Sequence, residues 1–242
     1  MKTKDKILKV SLDLFNQQGE RNTSTNHIAA ELGISPGNLY YHFRNKQQIV
    51  FQLFLQYQEE VERFMGVPED RAVTFQDKVR YLEGILNSMW DYRFLLRDLP
   101  HILQEDEEFR TLHQEFSART LEAGRLILQR MADAGVLIAS REQLDSLMLN
   151  IWLVVMSWWS FLQTMEPQNN LQDGASKPYL ERAIYQIIAM EEPYICESVR
   201  PLLVDLKRRY LGGVSTNPLA LFSNMHDPST GSQGFLQSKR TS

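Results

Sequence analysis

Hydrogen-bonding side chains are concentrated in one short stretch of the sequence, ISPGNLYYHFRNK at residues 34–46. Asn38, the adjacent tyrosines Tyr40 and Tyr41, and His42 all fall there within about two helical turns. An amide offers a donor and an acceptor to a base edge, and Tyr or His tips hydrogen-bond phosphate oxygens. A core helix would carry Leu and Val at these positions. The composition therefore predicts a helix that contacts a nucleic-acid duplex.

The residues around this stretch predict a helix-turn-helix. A first short helix is expected at residues 24–32, and Gly33 ends it because glycine lets the chain reverse without a Cβ penalty. Ser35 can cap a second helix, and Pro36 presets its first turn. In this motif the second helix enters the major groove by its N-terminal end. This approach to the duplex explains the polar composition of the second helix.

Charge is unevenly distributed along the 242 residues, whose formal net charge is −4. Residues 1–50 hold seven Lys/Arg and four Asp/Glu, so this segment is positive and the remainder is strongly negative. Such asymmetry is expected where one end of a chain meets a polyanion. A chance fluctuation of a few charges is the alternative explanation.

The string TNHIAAELGISPGNLYYHFRNKQQIV resembles the DNA-binding domain of the TetR family of transcriptional regulators. The family pattern is matched by Ile-Ala at 28–29, Gly-Ile-Ser at 33–35, Leu-Tyr-Tyr-His-Phe at 39–43, and Lys46. The resemblance covers roughly residues 5–52. It implies symmetric dimers that read palindromic double-stranded DNA, and a C-terminal region that binds a small ligand.

The resemblance also implies roles for individual side chains. The positions that resemble phosphate contacts are Thr25, Tyr40, His42 and Lys46. The positions where base-edge contacts vary between family members are Asn26, Pro36, Gly37 and Asn38. Ser35 and Tyr41 complete the predicted DNA-binding set. Tyr41 lies either on the sugar-phosphate backbone or on the fourth helix.

Helical periodicity continues along the chain and strand signals are nearly absent, which predicts an all-α fold. We expect a three-helix DNA-binding domain with the helix-turn-helix at 1–50, followed by a helical ligand-binding and dimerisation domain at 51–211. The segment 212–242 is rich in Gly, Ser, Asn and Pro and is predicted to be a mobile tail. After a fourth helix that Asn45 caps, helices are predicted at 74–97, 106–133, 142–165, 178–190 and 194–211.

The segment 146–165 contains twenty residues without a charge, close to the length of a bilayer span. Its interspersed Ser, Asn, Gln and Thr, and the absence of flanking basic clusters, favour burial in a protein assembly over a membrane. We predict that it forms a dimer interface together with the helix at 194–211. The predicted interface residues are Val155, Trp158, Trp159 and Leu162. The alternative is that 146–165 is the core helix of the monomer.

Methionine and aromatic side chains at helical spacing in the C-terminal region indicate either core or an adaptable ligand cavity. The predicted ligand-binding residues are Trp90, Arg93, Phe94, His113, Phe116, Met148, Trp152 and Met156. They favour a small, largely apolar effector. The segment WDYRFLLRDLPHIL at 90–103 also resembles a subgroup of TetR-like regulators. Its Arg93 and Arg97 pair either with a ligand acid or with nearby Asp98 and Glu105.

No constellation in the sequence predicts catalysis, a cofactor or a metal site: paired histidines, a phosphate loop and a nucleophile elbow are all missing. The single cysteine, Cys196, and the lack of an export signal at the N-terminus predict a cytoplasmic protein. We therefore expect a ligand-responsive, homodimeric transcriptional repressor. The alternatives are an activator of the same fold and an architectural DNA-binding protein without a ligand.

Overall fold

The computed structural model of the chain describes residues 2–165 and 177–211. These residues are helical and contain no strand, only an isolated bridge between Leu137 and Ile195. The helices are α1 (Thr3–Gln18), α2 (Thr25–Leu32), α3 (Pro36–His42), α4 (Lys46–Phe64), α5 (Phe75–Asp91), α6 (Arg93–Glu105), α7 (Glu107–Asp133), α8 (Arg141–Met165), α9 (Lys177–Glu191) and α10 (Arg200–Tyr210). The predicted all-α class is confirmed. The predicted tail at 212–242 lies outside the described residues.

Helix α4 joins the N-terminal helices to the rest of the protein. The Asn45 side chain caps it by accepting a hydrogen bond from the Gln48 amide at 2.9 Å, as the sequence predicts. The helix packs against α1, α5 and α7. The predicted domain boundary at residue 50 therefore falls inside a continuous helix, at the buried side chain of Val50.

The predicted helix at 74–97 is wrong, because two helices, α5 and α6, meet at Tyr92. The Asn16 side chain on α1 satisfies backbone groups at the break: it donates to the Asp91 carbonyl (2.7 Å) and accepts from the Phe94 amide (3.0 Å). Helix ends need such partners for their unpaired backbone groups. Helix α6 then continues through Pro100 to Glu105, across the gap between the helices predicted at 74–97 and 106–133.

The last predicted helix is shorter than expected. Helix α10 begins at Arg200 instead of residue 194, after a short 3-10 turn at Glu192–Tyr194. Pro201 does not kink it, since proline lies in the first turn, where its missing N–H would have no helical partner.

Helix α8 buries one face within the protomer and exposes the other. All four predicted dimer residues, Val155, Trp158, Trp159 and Leu162, lie on the buried face, between 1% and 9% exposed. This placement contradicts their assignment to a surface interface and agrees with the alternative of a core helix. The apolar side chains on the opposite face are Leu149 and Leu153, which are 54% and 52% exposed. The prediction failed because α8 is apolar on both faces, and its sequence alone does not determine which face packs inward. By length and composition alone α8 could also span a membrane, but its buried stripe is typical of a core helix.

Candidate nucleic-acid interface and internal cavity

Helices α2 and α3 are positioned by their caps and by a few buried side chains. The Ser24 and Ser35 hydroxyls accept hydrogen bonds from the amides of His27 and Asn38, both at 3.2 Å. Gly33 joins the helices in the left-handed conformation, with φ of 66°. The side chains that anchor the pair inward are Ile28, Ala29, Leu39 and Phe43.

The outer face of α3 presents the predicted DNA-binding side chains to solvent. The exposed members of the set are Asn26, Ser35, Pro36, Gly37, Asn38, Tyr40 and Tyr41. Thr25 is half-buried, and its hydroxyl lies 3.1 Å from that of Tyr40, so each orients the other. Tyr41 is 85% exposed, which excludes the alternative that it packs on the fourth helix. The face is therefore polar, compact and free to approach a duplex.

Two predicted phosphate contacts have partners within the protein. His42 is half-buried, and its ring lies 5.1 Å from that of Tyr41, edge to face. The Lys46 ammonium donates to the Glu20 carbonyl and pairs with the Glu20 carboxylate, both at 2.8 Å. The Lys46 side chain is only 22% exposed. In this structure Lys46 fixes α4 to the end of α1, and a phosphate would compete with Glu20 for its ammonium.

An internal cavity of about 90 Å³ lies among α4, α5, α6, α7 and α8. Five of the eight predicted ligand-binding residues line it: His113, Phe116, Met148, Trp152 and Met156. The other lining side chains are mostly aliphatic and aromatic. An apolar cavity of about 150 Å³ accommodates benzene. A drug-sized ligand therefore requires movement of the lining side chains, and the flexible ones among them are the methionines Met65, Met148 and Met156.

The other three predicted ligand-binding residues, Trp90, Arg93 and Phe94, lie away from the cavity wall. Phe94 is fully buried against Phe15 on α1, with ring centroids 5.2 Å apart. The Arg93 guanidinium lies over the Trp90 ring at 4.8 Å and donates to the Trp90 carbonyl at 3.1 Å. Helical spacing in the sequence could not show that these three residues do not line the cavity. The break between α5 and α6 at Tyr92 changes which side chains face the cavity.

Burial shifts the pKa values of polar groups in the cavity wall. Burial lowers the pKa of His113, whose ring stacks on Phe54 at 5.7 Å, so the imidazole is neutral at pH 7. Burial raises the pKa of Tyr57, and raises that of Tyr92 to about 12. One charged side chain, Lys78, also belongs to the wall and contacts the Glu191 carboxylate on α9.

Helix α6 forms both a wall of the cavity and a junction with α1. Three leucines of α6, Leu95, Leu96 and Leu99, line the cavity. Between Leu96 and Leu99 in the sequence, the Arg97 guanidinium donates to the carbonyls of Asn16, at 3.2 Å, and of Phe15. Asp98, which pairs with Arg97, accepts from the Glu20 amide at 2.9 Å. The ion pair of Arg97 with Asp98 was one of the two alternatives that the sequence left open.

Comparisons with known proteins cover both parts of the chain. A model of the N-terminal region of bacterial regulatory proteins of the tetR family matches residues 7–53, and a model described as a bacterial transcriptional repressor, TetR, matches residues 56–203. The second match alone exceeds half of the chain. The chain belongs to the TetR family of bacterial transcriptional regulators. Its helix-turn-helix is thus a DNA-binding element, as the sequence predicts.

Solved and curated TetR-family proteins agree with this membership. A TetR-family regulator from Marinobacter aquaeolei is 42% identical, covers 87% of this chain and 99% of its own, and superimposes with a TM-score of 0.79. The negative regulator IcaR of the Staphylococcus epidermidis biofilm operon is 27% identical over 48% of this chain and 54% of its own. The chain spans about half the length of the curated relatives it matches first. The structure of SmeT with triclosan shares the fold, at 18% identity and a TM-score of 0.55 over 81% of this chain and 93% of its own.

Several residues of this TetR-family member were missed by sequence reasoning. Lys78, Tyr57 and Gly124 line the cavity, and Asn16 holds the junction between α1 and α6. A charged residue inside an amphipathic helix is most simply read as solvated, and only the three-dimensional packing shows that Lys78 is buried. In the described part of the chain, no three His, Cys, Asp or Glu side chains are grouped to hold a metal ion.

Proposed function

We propose that the protein is a cytoplasmic, homodimeric repressor that binds a palindromic operator and responds to a small, largely apolar effector. The observation that carries this proposal is the double role of α6. The same helix lines the cavity through Leu95, Leu96 and Leu99 and holds α1 through Arg97. A ligand that displaces this wall would therefore displace the attachment of the DNA-binding helices.

Asn38 and the exposed face of α3 supply the contacts for reading DNA. In a helix-turn-helix, the N-terminal residues of the second helix reach base edges in the major groove. Asn38 lies in the first turn of α3 with its side chain exposed, and its amide is well suited to adenine. The hydroxyls of Thr25 and Tyr40, which lie together, are placed for one phosphate. Specificity is therefore assigned to Asn38, and positioning on the duplex to the hydroxyl pair.

The dimer interface is proposed on the exposed face of α8. This face carries Leu149 and Leu153 among uncharged small residues, and the residues that share it are Ser146, Asn150, Ser157 and Ser160. Exposed leucines on an uncharged stripe form an apolar patch of the kind that marks association sites. A second copy of the same chain is its natural occupant, because a two-fold interface is self-complementary and matches a palindrome.

The effector response is proposed to pass along α6 because the packed helix moves as a unit. The cavity is smaller than a drug-sized ligand, so binding must push the walls apart. On the far side of α6, hydrogen bonds from Arg97 and Asp98 connect this movement to the end of α1. The change in spacing between the two DNA-binding heads would then weaken operator binding.

Repression is favoured over activation by the family model, which describes repressors, and by IcaR, a negative regulator. SmeT is a repressor solved with triclosan, an apolar ligand, and it supports an apolar effector here. A purely architectural DNA-binding protein would have no use for a cavity whose wall is attached to the DNA-binding helices.

The proposed interface is tested by a double variant, Leu149→Arg with Leu153→Arg. Because these side chains are exposed, arginine leaves the protomer core intact, whereas at Val155 it would place a charge in the core. We expect a folded monomer by analytical ultracentrifugation that keeps weak non-specific DNA binding and loses tight palindrome binding. The matched control is Leu126→Arg on α7, where the leucine is 41% exposed. A double variant that remains dimeric would place the interface elsewhere.

A further inference from the structure

One residue of the cavity wall, Lys78, belongs to an ion pair that the proposed function does not use. Lys78 on α5 lines the cavity and is only 4% exposed. Its ammonium contacts the carboxylate of Glu191, the last residue of α9, which is fully buried. The rest of the wall is largely aliphatic and aromatic, so the Lys78 ammonium is a strongly polar group in the wall of an apolar cavity.

Neither member of the pair has its hydrogen-bonding capacity filled. The Lys78 ammonium and both carboxylate oxygens of Glu191 make no hydrogen bond of normal geometry to a third group. An ammonium has three donors, and one carboxylate at contact distance leaves the others unused. The Phe75 ring lies 6.0 Å from the Lys78 nitrogen and offers only a weak cation–π contact.

Stability alone does not account for such a pair. Removing two charges from water is costly, and the mutual attraction compensates only if additional hydrogen bonds satisfy the remaining donors and lone pairs. Burial lowers the pKa of Lys78 to about 7, and the adjacent Glu191 carboxylate favours its charged form. A group that carried an acceptor into the cavity would supply the missing hydrogen bonds.

We propose that Lys78 is the polar anchor of the effector site and that the effector is a neutral, largely apolar molecule bearing a carbonyl-type acceptor. The inference rests on the proposed function for its site, and it adds the chemical class of the ligand. The apolar lining selects the hydrocarbon part of the ligand, and the unused ammonium donors select the acceptor.

The charges around the cavity favour a ligand with a neutral hydrogen-bond acceptor over a ligand with a carboxylate. Lys78 and Glu191 together are neutral, and His113, the other basic side chain in the cavity wall, has its pKa lowered by burial. A carboxylate ligand would place a second anion beside Glu191 with one ammonium to share, and like charges in a buried site repel strongly. A ketone, ester or amide accepts the hydrogen bond without adding charge.

Three probes of nearly the same shape test the inference: isopropylbenzene, acetophenone and benzoate, each titrated calorimetrically into the full-length protein. A hydrogen bond from a charged donor should make acetophenone bind about tenfold more tightly than isopropylbenzene. Benzoate should bind more weakly than acetophenone. Tighter binding of benzoate would overturn the neutral class, and equal binding of acetophenone and isopropylbenzene would overturn the role of Lys78. Failure of all three to bind would overturn the site.

A double variant, Lys78→Met with Glu191→Met, removes both charges and leaves neither alone in the core. Apolar replacement of a whole buried pair is often neutral for stability, whereas removing one partner is strongly destabilising. The variant should lose the tenfold preference for acetophenone and still bind isopropylbenzene. The control is Lys207→Met with Glu192→Met, which removes a more exposed pair at 2.7 Å and should keep the preference.

Operator affinity measured with and without acetophenone distinguishes the proposed effector response from the proposed role of Lys78 as the ligand anchor. Binding that depends on Lys78 but leaves operator affinity unchanged would support the ligand site and count against the effector response. A change in operator affinity that persists in the Lys78→Met, Glu191→Met variant would support the response and overturn the anchor.

Discussion

Replacing Arg97 with methionine tests the junction between α6 and α1 at its most connected side chain. The Arg97→Met variant keeps the aliphatic stem and removes the guanidinium that donates to the carbonyls of Asn16 and Phe15. It also breaks the ion pair that orients Asp98. The matched control is Arg93→Met, one turn earlier on α6, where the guanidinium donates to the Trp90 carbonyl at the end of α5 and not to α1.

The expected loss of stability follows from the bonds removed. Hydrogen bonds that involve a charged group contribute about 1.5–3 kcal/mol each. The Arg97 side chain is 27% exposed, so water replaces part of the loss, and we expect a total of about 2 kcal/mol. For a protein of this size the melting temperature should fall by about 4–8 °C. The melting temperature of the Arg93→Met control should fall by less than half as much, because this variant loses one hydrogen bond and a cation–π contact.

The functional readout is discrimination between operators of different half-site spacing. Inserting one base pair moves a half-site by about 3.4 Å and rotates it by about a tenth of a turn. A rigid junction makes the wild-type protein lose at least about tenfold in affinity for the altered operator. Arg97→Met should discriminate less and bind the original operator more weakly, with non-specific binding unchanged. The reasoning is refuted if Arg97→Met keeps wild-type discrimination, or if Arg93→Met loses it equally.

Four further variants test the cavity and the exposed face of α3. In Gly124→Ala, the new methyl group would lie 2.5 Å from the Met148 sulfur and push this flexible side chain into the cavity, so calorimetry should show weaker acetophenone binding with little change in melting temperature. Burial lowers the pKa of His113 in the folded state, so the unfolded state binds its proton first, and stability should fall as pH drops below about 6.5. Urea titrations should show a shallower fall in His113→Leu, and an unchanged pH slope would contradict the assignment. Asn38→Ala should cost roughly 1–3 kcal/mol at one operator position and relax its specificity, whereas Tyr40→Phe should weaken binding to all duplexes alike; selected consensus sequences identical to wild type would remove Asn38 from the base readers.

The conformation of the helix-turn-helix was predictable because local chemistry determines it. Gly33 and Ser35 act within a few residues of their own position, and the structure places Gly33 at the end of α2 and Ser35 at the cap of α3, as predicted. Lys46 shows the limit of this reasoning. Its position at the start of α4 predicts a phosphate contact, but its ammonium forms an ion pair with Glu20, which is distant in sequence.

The features that sequence reasoning missed all depend on contacts between distant segments. The break at Tyr92 lies where the Asn16 side chain of α1 hydrogen-bonds to backbone groups of both α5 and α6. No residue near Tyr92 in the sequence predicts this break. Helix α8 is apolar on both faces, so periodicity alone could not assign Val155 to the core and Leu153 to the surface. The contact between Lys78 and Glu191 joins α5 to the end of α9 and is visible only after folding.

Selection of binding sites from randomised duplexes, using the purified wild-type protein, tests the central claim most directly. A rigid two-fold dimer with the α3 face in the major groove should enrich an inverted repeat. Its half-site centres should lie a constant distance apart, about 34 Å or a multiple of that. Enrichment of single half-sites, of direct repeats, or of inverted repeats with variable spacing would contradict a homodimer that fixes the two DNA-binding heads.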